Sequence, residues 1–283
     1  RRARRFFPGI RIRSDTDNCT LMILYFSATG NSRYVAERLA ASLGDNRLID
    51  MRTLSGGNSR FILSEHESLG FVFPVHSWGM PKGLPELAAS LRFDGYAPDS
   101  NYCYMACTCG DDCGLTFRQW KRSIKEAGLQ GNAGYSVFMP NTYVLLPGFD
   151  TDKPETATAK LHAAPQKVAE IAKMIQRHER GDHTFHGHFS RLKSKIIYPA
   201  FMRTMTDRPF RADTEKCISC GKCAKVCPTG NIVMDGGRPR WQGNCINCLA
   251  CYHYCPTRSI LYGTATRHKG QYHFPQTVIK TSP

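Results

Sequence analysis

Apolar and polar positions alternate along the chain in two periods. Leu21-Met-Ile-Leu-Tyr-Phe26 is an apolar run of strand length. A hydroxyl-rich turn, Ser27-Ala-Thr-Gly-Asn-Ser32, follows it. Tyr34, Val35, Ala36, Leu39, Ala40 and Leu43 then recur at helical spacing, with Gly44 at the expected C-cap. The same alternation continues downstream. Leu69–Val75 reads as a buried strand and Leu84–Leu91 as a short helix. Tyr102–Ala106 reads as a strand, Thr116–Ala127 as a helix and Ala133–Met139 as the last strand. Thr158–Glu179 reads as a long closing helix interrupted near Pro165. Strands and helices alternating in one direction predict an α/β fold with a doubly wound parallel sheet.

Composition sets limits on this picture. With 283 residues, 41% hydrophobic and 22% charged, the chain has the size of two folded domains and no disordered bias. No run approaches about 18 consecutive apolar residues, so no transmembrane helix is expected. Cysteine changes the picture most. Of 13, eight lie between Cys217 and Cys255, four between Cys103 and Cys113, and Cys19 stands alone. An odd number in tight clusters fits metal or redox chemistry in a reducing, cytoplasmic compartment better than a disulfide framework. Residues 1–21 form a basic extension whose arginine pairs invite an export reading. No apolar core or cleavage site follows, so it is read as an extension ahead of Met22.

Cys217, Cys220, Cys223 and Cys227-Pro228 have the spacing C-x2-C-x2-C-x3-C-P. Cys245, Cys248, Cys251 and Cys255-Pro256 repeat it 28 residues later. Three cysteines two residues apart wrap one cubane, and the fourth ligates the other cluster. Cluster 1 is therefore expected on Cys217, Cys220, Cys223 and Cys255. Cluster 2 is expected on Cys245, Cys248, Cys251 and Cys227. Zinc ribbons are the alternative, but they leave the third cysteine and both Cys-Pro steps surplus. Residues 208–263 resemble the bacterial two-cluster ferredoxins, which implies two [4Fe–4S] clusters carrying one electron each.

The turn at 27–32 lacks the Walker pattern. It resembles the phosphate loop of flavodoxins. That resemblance implies FMN, with Ser27, Thr29, Gly30, Asn31 and Ser32 around its phosphate and strand order 2-1-3-4-5. The ring-binding loops would then leave the strand ends. Pro74, His76, Trp78 and Gly79 lie after one strand, Trp78 as a stacking ring and Gly79 as a point of close backbone approach. Thr108, Cys109, Gly110 and Asp111 lie after the next. Asn141 and Tyr143 lie after the last, Tyr143 being the candidate for the second stacking partner.

Together the two halves resemble a family of flavodoxin-like/two-cluster ferredoxin fusion proteins. The expected boundaries are an extension over 1–21, an FMN-binding domain over 22–182, a linker over 183–207, a ferredoxin domain over 208–263 and a tail over 264–283. His183, His186 and His188 read as linker residues, and 190–211 as a basic, partly apolar connector between the domains. Cys103, Cys107, Cys109 and Cys113 match no ligand spacing; a metal site, a redox pair and packing all stay open.

The resemblance implies electron transfer, as an oxidoreductase with an unassigned acceptor. A pure carrier and a cluster-based sensor are the alternatives. No G-x-G-x-x-G follows a strand, so a nicotinamide site is not indicated. The formal charge of +15 outweighs what clusters and FMN would bring, which points to an acidic redox partner; neither nucleic acid nor a membrane span is expected.

Overall fold

The computed structural model describes residues 11–12, 21–44, 46–54 and 59–275. Cys19, most of the basic extension and the end of the tail lie outside the described residues. The principal sheet has six parallel strands: β1 (Leu21–Tyr25), β2 (Asn46–Asp50), β3 (Ser68–Pro74), β4 (Cys103–Cys109), β5 (Ala133–Phe138) and β6 (Gly181–His183), in the order 2-1-3-4-5-6. The first five follow the flavodoxin order expected from the sequence.

The pleat decides which residue faces which layer. Leu21, Ile23 and Tyr25 of β1 point to one side, where helices α1 (Asn31–Leu43) and α4 (Pro154–Gln176) cover them. Met22 and Leu24 point to the other, beneath α2 (Leu84–Ser90) and α3 (Thr116–Glu126). Because both faces are covered, β1, β3 and β4 read as continuous apolar runs rather than alternating ones. A second, small parallel sheet joins Arg11–Ile12, Arg60–Ile62 and Arg92–Asp94.

Three expectations are corrected. The closing helix starts at Pro154 and runs through Pro165 without a break. Burial of Ala164, Val168, Ile171, Ala172 and Ile175 against the sheet holds it across the missing N–H. Ala133–Phe138 is not the last strand, since β6 adds to its edge. All three residues of β6 are exposed, so no apolar pattern announces it. The span read as a linker is also structured: His183 belongs to β6, and residues 190–204 form a helical stretch with a π-turn over Lys193–Ile197.

The cysteine-rich part is built twice. Strand β7 (Phe210–Ala212) pairs antiparallel with β10 (Ile260–Tyr262), and β8 (Ile232–Asp235) with β9 (Arg238–Trp241). The short helices Lys222–Lys225 and Ala250–His253 are related by the same 28-residue offset as Cys217 and Cys245. So are the left-handed backbone positions: Ser219 and Asn247 (φ 56 and 54), Gly221 and Leu249 (67 and 61), Gly230 and Arg258 (61 and 52). Leu249 and Arg258 take a conformation that side chains disfavour, so the second copy keeps the turn geometry of the first even where glycine has been lost.

Candidate functional site

The turn after β1 is locked from several sides. Gly30 (φ 104) starts α1, and its N–H donates to Ser27 Oγ at 3.2 Å. Ser32 Oγ and Thr108 Oγ1 share a 2.7 Å hydrogen bond that ties the turn to the end of β4. Asn31 Nδ2 donates to Pro140 O at 3.0 Å beyond β5. No side chain caps α1, so its first N–H groups are left for a ligand, and an uncapped 13-residue helix start favours an anion. Ser27, Thr29, Asn31, Ser32, Pro74, His76, Thr108, Cys109, Gly110, Asn141 and Tyr143, all singled out from the sequence, line one cavity at the carboxyl ends of the strands.

A second cavity adjoins the first and shares Cys109, Gly110, Asn141 and Tyr143 with it. It adds Trp78, Asp111, Leu146, Phe149 and Ile197. Its walls are mostly apolar, the kind of surface that takes an aromatic ring. Tyr143 is steered by edge contacts to Phe149 and Phe201 at 5.5 and 5.6 Å. Trp78 carries Lys193 Nζ 5.1 Å from its ring centre, and Lys193 is itself held by Asp112 at 2.6 Å. Ser77 and Trp78 both have positive φ (49 and 65) in the tight turn closed by His76 and Gly79. Such backbone costs on the order of 1–3 kcal/mol per residue and gathers at ligand sites.

Two expected contacts are corrected. Gly79 lines neither cavity; a Cβ there would run into the Tyr198 ring, so its smallness serves packing of the 190–204 stretch. Gly30 is likewise not among the cavity-lining residues, although its neighbours Thr29 and Asn31 are, and a Cβ on it would lie 2.6 Å from Phe274 Cβ.

His76 gives the cavity a polar test. Its Nδ1 is shut off from solvent without a partner, and burial lowers its pKa to about 4. A neutral imidazole with an orphaned nitrogen beside a cavity fits a ligand that carries a hydrogen-bonding edge. The hydroxyl turn, the open helix start, the apolar second chamber and this nitrogen together suit a phosphorylated aromatic cofactor such as FMN.

The eight downstream cysteines fall into two groups. Cys217, Cys220, Cys223 and Cys255 surround one small cavity, with Ile218 and Met234 at its mouth and Cys220 exposed. Beyond burial, the neighbours that raise the Cys223 thiol are Cys255 and Cys217. In the other group, burial pushes Cys245 up to about 11 and Cys248 up to about 12, with Cys227 among the neighbours that raise each. Cys227 thus sits with the second set although it adjoins the first in sequence, as crossed ligation requires. Cys255 Sγ lies 3.3 Å from the donating Ser259 N–H, and Cys245 Sγ lies 3.3 Å from that of Asn247. Among the described residues no three His, Cys, Asp or Glu side chains converge on a point where one metal ion would sit. A cubane instead spreads four thiolates over four irons, and its positive irons suit buried sulfurs. Each donor set brings four cysteine sulfurs together, a number and chemistry that suit a [4Fe–4S] cluster.

Several site residues escaped sequence reasoning. Asn247 and Leu249, from the second cysteine loop, line the same cavity as the Ser27–Ser32 turn, and so does Cys248, expected from the sequence only as a cluster ligand. Phe201 lines both cavities. The tail returns to the turn: Phe274 N donates to Thr29 O at 2.8 Å, Tyr272 OH to Asn31 Oδ1 at 2.9 Å, and the Phe274 ring stacks on Tyr34 at 4.5 Å. His253 Nε2 donates to Thr142 O at 2.7 Å while its Nδ1 accepts from Tyr272 N at 3.1 Å, which joins strap, cysteine loop and sheet. Apart from the Tyr272–His253 bond, these contacts join residues more than a hundred apart in sequence, and no local pattern signals them.

Comparison with known proteins adds the following. Residues 210–233 match the family model described as a 4Fe-4S binding domain. No curated protein matches the chain. A short-chain flavodoxin associated with a PDU bacterial microcompartment is 13% identical, with a TM-score of 0.34 over 56% of this chain and 98% of that one. The metal-soaked Flv1 flavodiiron core from Synechocystis sp. PCC6803 is 18% identical, with a TM-score of 0.29 over 56% of this chain and 36% of that one. Rubredoxin oxygen:oxidoreductase from Desulfovibrio gigas is 15% identical, with a TM-score of 0.29 over 54% of this chain and 36% of that one. The flavodoxin-like fold itself rests on the strand order and crossovers of this chain, which joins such a sheet to a 4Fe-4S binding segment. Among the described residues no helix is long and apolar enough to cross a membrane.

Proposed function

We propose that the chain is an iron–sulfur flavoprotein that moves electrons between an external carrier, two [4Fe–4S] clusters and one FMN. One observation carries this reading: a single cavity is bounded both by the Ser27–Ser32 turn and by Cys248 of the second cysteine set. When bound, the clusters supply one-electron steps and the flavin joins them to two-electron chemistry.

The chain's own residues set the order. Cys220 is exposed, and Ile218, Val233 and Met234 are exposed apolar side chains on the same unit. This face, flanked by Lys216, Lys222 and Arg240, is where an acidic carrier would dock. The Cys227/Cys245/Cys248/Cys251 set lies deeper and against the cavity. The N–H groups at the start of α1 and the hydroxyls of the turn hold phosphate; Tyr143, Phe149 and Phe201 shape the chamber for the ring and keep water from it. Neutral His76 offers its nitrogen to the ring's polar edge. A flavin unit that runs from β1 through β6, residues 21–183, then stands beside a cluster unit over 208–263, with the tail strap and residues 190–204 holding them in register.

An absorption spectrum of anaerobically purified protein, taken before and after dithionite, tests the reading. A cluster band near about 400 nm and flavin peaks, all bleaching on reduction, are expected. Cluster absorbance without flavin after reconstitution with FMN would overturn the flavin half. A carrier with no substrate of its own is the second reading; steady turnover of a small acceptor without a protein partner would exclude it.

A further inference from the structure

Three of the four upstream cysteines meet at the edge of the cavities. Cys107 and Cys109 lie two residues apart on β4 and so share a face of the sheet. Cys113 in the following loop folds back onto that face. Its Sγ lies 3.3 Å from Cys107 Sγ and 3.4 Å from Cys109 Sγ. All three are buried, and Cys109 lines both cavities.

The loop that presents Cys113 is fixed on both sides. Cys113 N donates to Phe185 O at 2.9 Å, and Thr116 Oγ1 donates to Cys113 O at 2.6 Å. Gly114 (φ 55) leaves no room for a Cβ against Trp78 and Ser194. Hydrogen bonds with Cys107 and Cys109 hold the Cys113 thiol below its ordinary range, while the other two are raised by Cys113 and by burial. Cys113 is therefore the sulfur of the three that most readily gives up its proton, with two thiols in contact with it, the arrangement in which a disulfide forms and reopens.

We propose that Cys113 and Cys109 form a reversible dithiol–disulfide couple that exchanges two electrons with a flavin bound in the adjoining cavity. The proposal rests on the flavin reading above. In the oxidising direction the Cys109 S–H bond breaks and one S–S bond forms between Cys109 and Cys113. The two sulfurs give up two electrons and the Cys109 proton, and oxidised flavin accepts all three. Reduction runs the same step backwards. Cys109 is the partner because it borders the cavity; Cys107 lies behind it. Cys109 lines both cavities, so a small dithiol reaches the couple there while larger partners do not, and the couple would be an internal two-electron store.

The test uses the full chain loaded with FMN, held anaerobically in oxidised and reduced dithiothreitol buffers, then denatured and alkylated. Cleavage after Arg92 and Arg118 releases one peptide with Cys103, Cys107, Cys109 and Cys113 and none of the eight downstream cysteines. Two of its four cysteines should escape alkylation in oxidising buffer and recover in reducing buffer. C109S and C113S should abolish the loss, and C107S and C103S should keep it. Photoreduction of the bound FMN should restore both cysteines in the wild type, and the same illumination of flavin-free protein should not. Four alkylated cysteines in every buffer, or a pair that survives C113S, would overturn the couple. A disulfide that persists after FMN photoreduction would overturn the exchange. A chain that fails to retain FMN would overturn the flavin reading and with it the exchange, an outcome separate from the thiol count.

Discussion

Replacing Phe274 by Ala would isolate the strap that ties the tail to the phosphate turn. Phe274 is 4% exposed, stacks on Tyr34 with ring centres 4.5 Å apart, and packs where a Cβ on Gly30 would fall. Full burial of such a ring contributes about 1.5–3 kcal/mol. The aromatic pair adds roughly 0.5–1.5 kcal/mol. Together this is about 3 kcal/mol, or on the order of a hundredfold in the docking equilibrium of the strap. The strap orders the turn through Thr29 O and Asn31 Oδ1, so a ligand of that turn binds only the docked fraction more tightly. Affinity for FMN should therefore fall by about 10- to 100-fold, in proportion to that fraction. Titrating flavin-free protein with FMN and following fluorescence quenching gives the number directly. Global melting should change less, because a terminal strap opens locally. An FMN affinity within about twofold of wild type would refute the coupling of strap to turn.

Other perturbations separate the remaining parts. Burial lowers the His76 pKa from 6.5 to about 4, so the folded state resists the proton that the unfolded chain takes up. The stability this gives is full above pH about 6.5 and drains away as pH falls toward about 4. The ring is partly exposed at the cavity, so the loss should be about 2 kcal/mol, less than the full shift would imply. Urea midpoints of flavin-free protein at both pH values should show it, and His76→Asn should flatten it. Cys220→Ser should lower the iron content by about half and leave FMN binding intact, whereas Cys248→Ser should weaken both, since Cys248 also walls the cavity. Gly79→Ala should loosen the 190–204 stretch by about 1–3 kcal/mol, seen as a lower melting temperature, because Tyr198 has nowhere to move while it donates to Met80 O. Reduction by an acidic carrier should slow at least about tenfold between low and high salt; an unchanged rate would remove the charge argument.

Legibility in the sequence follows from how local each signal is. β1, β3 and β4 announce themselves because burial on both faces leaves unbroken apolar runs. Strand β2, Asn-Arg-Leu-Ile-Asp, is mostly polar and β6 has three exposed residues, so neither carries a strand pattern. Pro165 reads as a break because local rules charge for a missing N–H, yet packing of Val168 and Ile171 overrides it. The cysteine spacing is local and fixes the loop geometry, which is why both left-handed turns repeat at the same offset. Gly79 misled for the opposite reason: a glycine reports that something comes close, and only the fold says that it is Tyr198. The strap, Cys248 at the cavity and the Cys107–Cys113 contact depend on chain segments that meet only after folding.

The most direct test is a count of cofactors in protein prepared and reconstituted without oxygen. Two cubanes and one flavin in a single chain require about eight iron, about eight acid-labile sulfide and about one FMN per polypeptide. About four iron per chain would contradict the second cluster, and full iron with no FMN would contradict the junction of cluster and flavin on which the function rests.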